Sequence, residues 1–97
     1  MVRVDENVTV AVNHEGQPIG FSWRNANYLV ADKPVRWFAR REWWVEAARV
    51  QRGIGSGVLE VEMWRFLAAD KPTTPKHQYE LVHFTLENTW RLVRVFD

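Results

Sequence analysis

The chain has 97 residues, no cysteine and a formal net charge of +1. A chain of this length forms one domain, so we expect a single β-rich domain over residues 1–97. The absence of cysteine excludes disulfides and cysteine-ligated zinc, and the near-zero net charge gives no general attraction to a polyanion. No apolar run approaches the roughly 20 residues that span a bilayer, and the N-terminal sequence MVRVDENVTV does not resemble a signal peptide. We therefore predict a cytoplasmic protein with no membrane partner.

The first third of the chain alternates apolar and polar residues with the period of two that is typical of strands. The β-branched run Val8–Val12 is followed by a turn signal, NHEGQP. The next strand, IGFSW, places Ile19, Phe21 and Trp23 on one face, which favours a core position for Trp23. The polar link RNAN is compatible with a hairpin. The strand pattern then resumes in YLVA and is broken at Pro34.

The remaining residues add further strands and one ambiguous segment. VRWFARREWW reads as a strand, whereas residues 42–52 fit either a short helix or a strand. In VLEVEMWRFLA the apolar face changes at Trp64, which predicts a bulge or a strong bend near Met63. QYELVHFTL and TWRLVRVF form a final pair joined by the short link LENT. The fold class that follows is mainly β, a small antiparallel β-barrel or strongly bent sheet of about six strands.

Several of these strings occur together in a pattern that resembles a known family. GQPIGFSWRNANYLV, the Trp43-Trp44 pair and the terminal WRLVRVFD are similar to a family of small actinobacterial proteins of unknown function. That family is in turn similar to the C-terminal domain of ImuB-like proteins, which are catalytically inactive relatives of Y-family polymerases used in mutagenic repair. The resemblance covers about Val2 to Asp97. It implies a small β-rich domain accessory to DNA repair, with no catalytic residue.

No enzyme motif is present in the sequence. His14, His77 and His83 form neither an HxH nor an HExxH arrangement, and GIGSG lacks the Lys-Ser/Thr that follows a phosphate-binding loop. Glu60 and Glu62 share one face of a strand, where two like charges are typical of a solvent-exposed face. We therefore predict no catalysis, no metal site and no cofactor.

Six tryptophans in 97 residues are the most unusual feature of the composition. Trp90 alternates with apolar neighbours and is predicted in the core, and Trp64 either joins the core or lies where the strand changes face. Trp43 and Trp44 are adjacent, so on a strand they point to opposite faces. Because a single thin sheet does not bury both faces, we expect at least one of this pair to need a cover.

The segment from Lys33 to Arg52 carries six basic and two acidic side chains. An Arg/Trp surface in this segment can anchor a protein interface, stack on the bases of single-stranded nucleic acid, or hold internal cation–π contacts without any partner. The expected function is a non-catalytic interaction module that docks a protein partner, with single-stranded or distorted DNA binding and a Trp-faced homodimer as alternatives. The predicted binding residues are Arg36, Trp37, Arg40, Arg41, Trp43 and Trp44.

Overall fold

The computed structural model describes residues 2–40, 60–85 and 87–96, and every regular element in these ranges is a β-strand. The strands are β1 (Val2–Val12), β2 (Pro18–Trp23), β3 (Ala26–Val30), β4 (Val35–Arg40), β5 (Glu60–Ala69), β6 (His77–Phe84) and β7 (Thr89–Phe96). Within the described ranges no helix is long and apolar enough to span a bilayer. The choice between helix and strand for residues 42–52 lies outside the described residues.

The strands form a closed antiparallel barrel of six strands with one strand added. Their order is β3-β2-β1-β7-β6-β5-β4, and β3 also pairs with β5, which closes the barrel. β5 is ten residues long, and β6 pairs along one of its edges. β3 and β4 pair with different parts of its other edge. Val30 of β3 pairs with Ala68 of β5, whereas Val35 of β4 pairs with Arg65 of β5. The predicted fold class is confirmed, and β4 is a strand that leaves the barrel wall.

Two of the predicted turns are confirmed. The β2–β3 hairpin has a two-residue turn at Arg24 and Asn25, both with positive φ (50° and 66°), as a type I′ turn requires. In the β1–β2 turn, Asn13 Oδ1 accepts hydrogen bonds from the backbone N–H groups of Glu15 and Gln17, both at 2.9 Å. These short connections set neighbouring strands antiparallel and in register.

The strand irregularities do not lie where the sequence pattern predicts them. β5 pairs with β6 in one continuous register from Glu62 to Ala68, so of the two irregularities predicted near Met63, a bulge or a strong bend, the bulge is wrong. A register shift instead follows Glu80, which pairs with Arg94, while the next residue of β6 pairs with Leu92. This leaves one extra residue in β7, as in a β-bulge.

The core consists of two clusters on opposite faces of the central strands. The first fills the barrel and is built on Phe21, Trp64, Phe66, Ala68, Tyr79, Leu81, Trp90 and Leu92. The second, on the other face of β5 to β7, is built on Val61, Met63, Val82, Phe84 and Val93. Trp90 is buried as predicted, and Trp64, for which two alternatives were open, also lies in the core. Trp23 is partly buried against the first cluster. The apolar face of β5 therefore does not change at Trp64, because both of its faces are apolar and buried.

The outer face also holds a buried carboxylate between two arginines. The Glu80 side chain is only 2% exposed, and it accepts a hydrogen bond from Arg65 at 2.8 Å and another from Arg94. The Arg65 guanidinium lies 5.2 Å from the ring centre of Trp37 and 5.3 Å from that of Phe96. Ion pairing and cation–π contacts thus fix β4, β5, β6 and β7 to one another.

Candidate functional site

Neighbouring residues in the middle of β4 differ in exposure, because Phe38 is exposed and Trp37 is half-buried. Arg36 pairs with Trp64 and Phe38 with Glu62 across the β4–β5 ladder, so Arg36 and Phe38 share the face of β5 that leads into the barrel. The Arg36 side chain is 54% exposed, and Phe38 is 58% exposed. Phe38 is a large aromatic residue in contact with solvent, and it lies on a strand outside the barrel wall.

A row of paired side chains leads from Phe38 into the mouth of the barrel. Phe38 pairs with Glu62, Glu62 with His83, and His83 with Trp90 across four neighbouring strands. Side chains directly opposite each other in such ladders have Cβ atoms about 4.5–5.5 Å apart. An exposed ring, a carboxylate, an imidazole and an indole are thereby placed side by side. We call these residues, together with Arg36, the mouth row.

Glu62 is the centre of the mouth row. Its Oε1 accepts hydrogen bonds from Trp64 Nε1 at 3.0 Å and from His83 Nδ1 at 2.7 Å, and its Oε2 lies 3.5 Å from Arg36 Nη1. Burial alone would raise the pKa of Glu62. The hydrogen bonds from Trp64 and His83, with the charges of His83 and Arg36, outweigh burial and lower the pKa of this carboxyl. Glu62 therefore carries its charge at neutral pH inside the row.

The His83 ring is fixed on three sides. It stacks on Trp90 with ring centres 4.0 Å apart and an angle of 10° between the planes. Its Nδ1 faces Glu62, and its Nε2 lies 2.9 Å from Asn88 Oδ1. These contacts and the stacking on Trp90 hold the imidazole in one orientation at the mouth of the barrel.

A concave pocket of about 360 Å³ opens beside this histidine. It lies between the C-terminal half of β1 and the β6–β7 turn. Its wall combines apolar side chains with a few hydrogen-bonding groups, a composition that ligand sites share. The lining residues are Thr9, Val10, Val12, Gly16, His83, Asn88 and Trp90. Among the described residues there is no cluster of three side chains that could ligate a metal ion.

The structure divides the predicted binding residues into three groups. Arg36 lies on the exposed face of β4, and the backbone of Arg40 pairs with Glu60 at the end of the same strand. Trp37 points to the opposite face, where it packs against the second core cluster under the Arg65 guanidinium. The predicted residues Arg41, Trp43 and Trp44 lie outside the described residues.

Sequence reasoning missed most of the mouth row. The prediction of a solvent-exposed face for Glu62 is wrong, because its side chain is only 12% exposed. His83 and Glu62 are 21 residues apart, and only the β5–β6 register makes them neighbours. The place of Phe38 could be predicted, because it lies two residues from both Arg36 and Arg40 and side chains at that spacing share a face of a strand.

Comparison of the chain with known protein families, with characterised proteins and with solved structures finds no match.

Proposed function

We propose that the protein is a non-catalytic interaction module that docks a protein partner through the exposed face of β4. The observation that carries this proposal is the exposure of Phe38, at 58%, beside Arg36, at 54%. Aromatic residues and arginine are enriched at the energetic centres of protein interfaces. The predicted residue Arg40 follows in the same strand, where its backbone pairs with Glu60.

Arg36 is already held in place for such a contact. Its guanidinium lies 5.5 Å from the Phe38 ring centre and 5.8 Å from that of Trp64, and Glu62 lies within ion-pair distance. A side chain that is ordered before binding loses less conformational entropy when the partner arrives. Covering the exposed part of Phe38 contributes roughly 1–2 kcal/mol of burial free energy, which is comparable to one interface anchor.

The position of β4 favours an extended partner segment. Among the described strands, β4 has a neighbour only on its β5 side, and a terminal strand offers backbone groups to an added strand. Arg36 next to Phe38 favours a partner that carries an acidic side chain beside an apolar one. Arg41, Trp43 and Trp44 remain predicted members of this surface, and the accessory role in DNA repair rests on the family resemblance alone.

Single-stranded or distorted DNA is the second candidate, because an exposed ring beside an arginine is also a stacking platform for bases. The two candidates differ in their salt dependence. Phosphate contacts weaken steeply between about 50 and 200 mM salt, whereas an apolar anchor does not. A homodimer through the same face is the third candidate, and light scattering at two protein concentrations detects it.

The test compares three tagged proteins: wild type, Phe38→Ala and Leu29→Ala. Leu29 is the matched control, because it is also exposed, at 72%, and lies on β3. Quantitative mass spectrometry of captured proteins should show a partner that wild type and Leu29→Ala retain and that Phe38→Ala loses. The proposal fails if every captured protein is retained equally by the three. Oligo(dT) binding that disappears at 200 mM salt, together with an empty capture, would select the DNA candidate.

A further inference from the structure

We propose that the outer face of β5, β6 and β7 binds a phosphate monoester through the guanidinium groups of Arg65 and Arg94. We call these two residues and Glu80, which lies between them, the arginine cluster. The site is separate from the docking face of β4, because Arg65 and Arg36 belong to opposite faces of the sheet. The charge of the cluster, its unused hydrogen-bond donors and the orientation of Arg65 carry the inference.

The arginine cluster has an excess of positive charge. Glu80 pairs with Arg65 on one side and with Arg94 on the other, so the three side chains form a row across β5, β6 and β7. Arginine stays protonated in proteins, so two positive charges face at most one negative charge, whatever the state of the carboxyl. Arg3 of β1 pairs with Arg94 on its other side and extends the basic row. The row therefore attracts an anion.

The other carboxylates of the neighbouring strands do not cancel this charge. On β1, Asp5 is held by Arg91 at 2.8 Å and Glu6 by Arg24 at 2.6 Å. On β5, Glu62 belongs to the opposite face of the strand. Among the described residues, no carboxylate besides that of Glu80 forms an ion pair with the arginine cluster.

Most hydrogen-bond donors of the cluster have no acceptor among the described residues. A guanidinium carries five N–H groups, yet only one nitrogen of Arg65 and one of Arg94 donates to Glu80. The Nε of Arg65 is buried without any partner. The side chains of Arg65 and Arg94 are 41% and 24% exposed, whereas that of Glu80 is 2% exposed. A ligand that approaches from solvent therefore meets the two donors rather than the carboxylate.

The Arg65 guanidinium is oriented before any ligand arrives. It lies 5.2 Å from the ring centre of Trp37 and 5.3 Å from that of Phe96. Such contacts use the flat face of the guanidinium and leave its N–H edge to acceptors. A donor that is already ordered loses less conformational entropy on binding.

Among anions, a phosphate monoester matches this arrangement best. It carries about −1.5 to −2 charges at pH 7 and three acceptor oxygens, so both guanidinium groups can donate to it at once. A carboxylate has one charge and two oxygens, which a single guanidinium fork satisfies. A phosphodiester of a nucleic-acid backbone also carries a single charge. The cluster therefore favours the monoester over either of these.

The experiment titrates the ¹⁵N-labelled protein at constant ionic strength with four probes. Glycerol 2-phosphate is the free monoester, a phosphoserine peptide presents the same group on a side chain, and dimethyl phosphate and acetate are the singly charged probes. We expect saturable shifts of the Arg65 and Arg94 Nε–H signals with a monoester, and affinities at least about fivefold lower for the singly charged probes, the equivalent of one hydrogen bond. Equal affinity for acetate or dimethyl phosphate would overturn the proposal. So would the absence of saturation by both monoesters at about 50 mM, where a site with a Kd of about 5 mM is about nine-tenths filled.

A charge-conserving variant separates ligand recognition from a structural role. Arg94→Lys keeps a cation beside Glu80 but loses the planar fork, so the monoester should bind about three- to tenfold more weakly. Arg24→Lys, whose arginine pairs with Glu6 at the β2–β3 turn, is the matched control and should leave the affinity unchanged. Thermal unfolding without ligand shows whether each variant is folded, and Arg65→Lys replaces Arg94→Lys if the latter is not. Unchanged affinity in a folded variant would contradict the proposal, and the probe series on the unmodified protein decides if neither variant folds.

Discussion

Replacing Glu80 tests how much the buried carboxylate on the outer face contributes to stability. The side chain is 2% exposed and accepts hydrogen bonds from Arg65 and Arg94, whose own side chains are 41% and 24% exposed. Removing one partner of a buried ion pair costs about 3–5 kcal/mol, and the partial exposure of both arginines favours the lower end. We therefore expect Glu80→Gln to lower the free energy of unfolding by about 3 kcal/mol. For a domain of this size, that corresponds to roughly 12–24 °C in Tm.

Urea unfolding followed by tryptophan fluorescence measures this loss. Glu87→Gln, in the exposed β6–β7 turn, is the control and should stay within about 0.5 kcal/mol of wild type. The double variant Glu80→Leu/Arg94→Met should be more stable than Glu80→Leu alone, because it also removes one of the two uncompensated cations. A loss below about 1 kcal/mol for Glu80→Gln would refute the reasoning, since it would mean that the arginines find equivalent partners in solvent.

Three further changes have defined outcomes in the same unfolding assay. The pKa of Glu62 is lowered in the folded state. Its contribution to the free energy of unfolding is therefore complete above the ordinary pKa of about 4.3 and is lost as the pH falls through the lowered pKa. Glu62→Gln should lose less stability than wild type between about pH 5 and 3, and parallel stability curves for the two proteins would contradict this. A Cβ at Gly20 would lie 2.9 Å from the backbone oxygen of Tyr28, so Gly20→Ala should cost about 1–3 kcal/mol; a neutral result would mean that β3 moves freely. Asn25→Gly places the residue that a type I′ turn prefers at a φ of 66°, but glycine also gives the unfolded chain more freedom, so the free energy of unfolding should change by no more than about 0.5 kcal/mol; a larger loss would show that the Asn25 side chain has a role of its own.

The strands were predictable because each carries its pattern locally. Alternation placed Phe21 inside the barrel, and the polar link after Trp23 predicted the hairpin that the structure shows. Closure of the barrel could not be predicted from such local patterns. It depends on β5 being long enough to pair with β3 near Ala68 and with β4 near Arg65 along one edge. Periodicity within a strand does not indicate which distant strand shares its edge.

The candidate site was harder to predict, because its members come from four strands. Nothing near His83 in the sequence points to Glu62, which becomes its partner only through the β5–β6 register. The pattern of Glu60 and Glu62 alone is typical of a solvent-exposed face. In the structure, hydrogen bonds from Trp64 and His83 compensate for the burial of the Glu62 charge. Such compensation cannot be read from one strand.

Adjacent large apolar residues in a strand point to opposite faces, but that does not always leave one of them exposed. In β5, Met63 and Trp64 are 1% and 3% exposed on opposite faces, because each face belongs to a core cluster. The pair Trp43-Trp44 therefore does not require a partner by adjacency alone. The expected division does occur in β4, the terminal strand among those described, where Trp37 packs against a cluster and Phe38 remains 58% exposed. The case for a docking surface thus rests on the position of β4 outside the barrel wall rather than on the number of tryptophans.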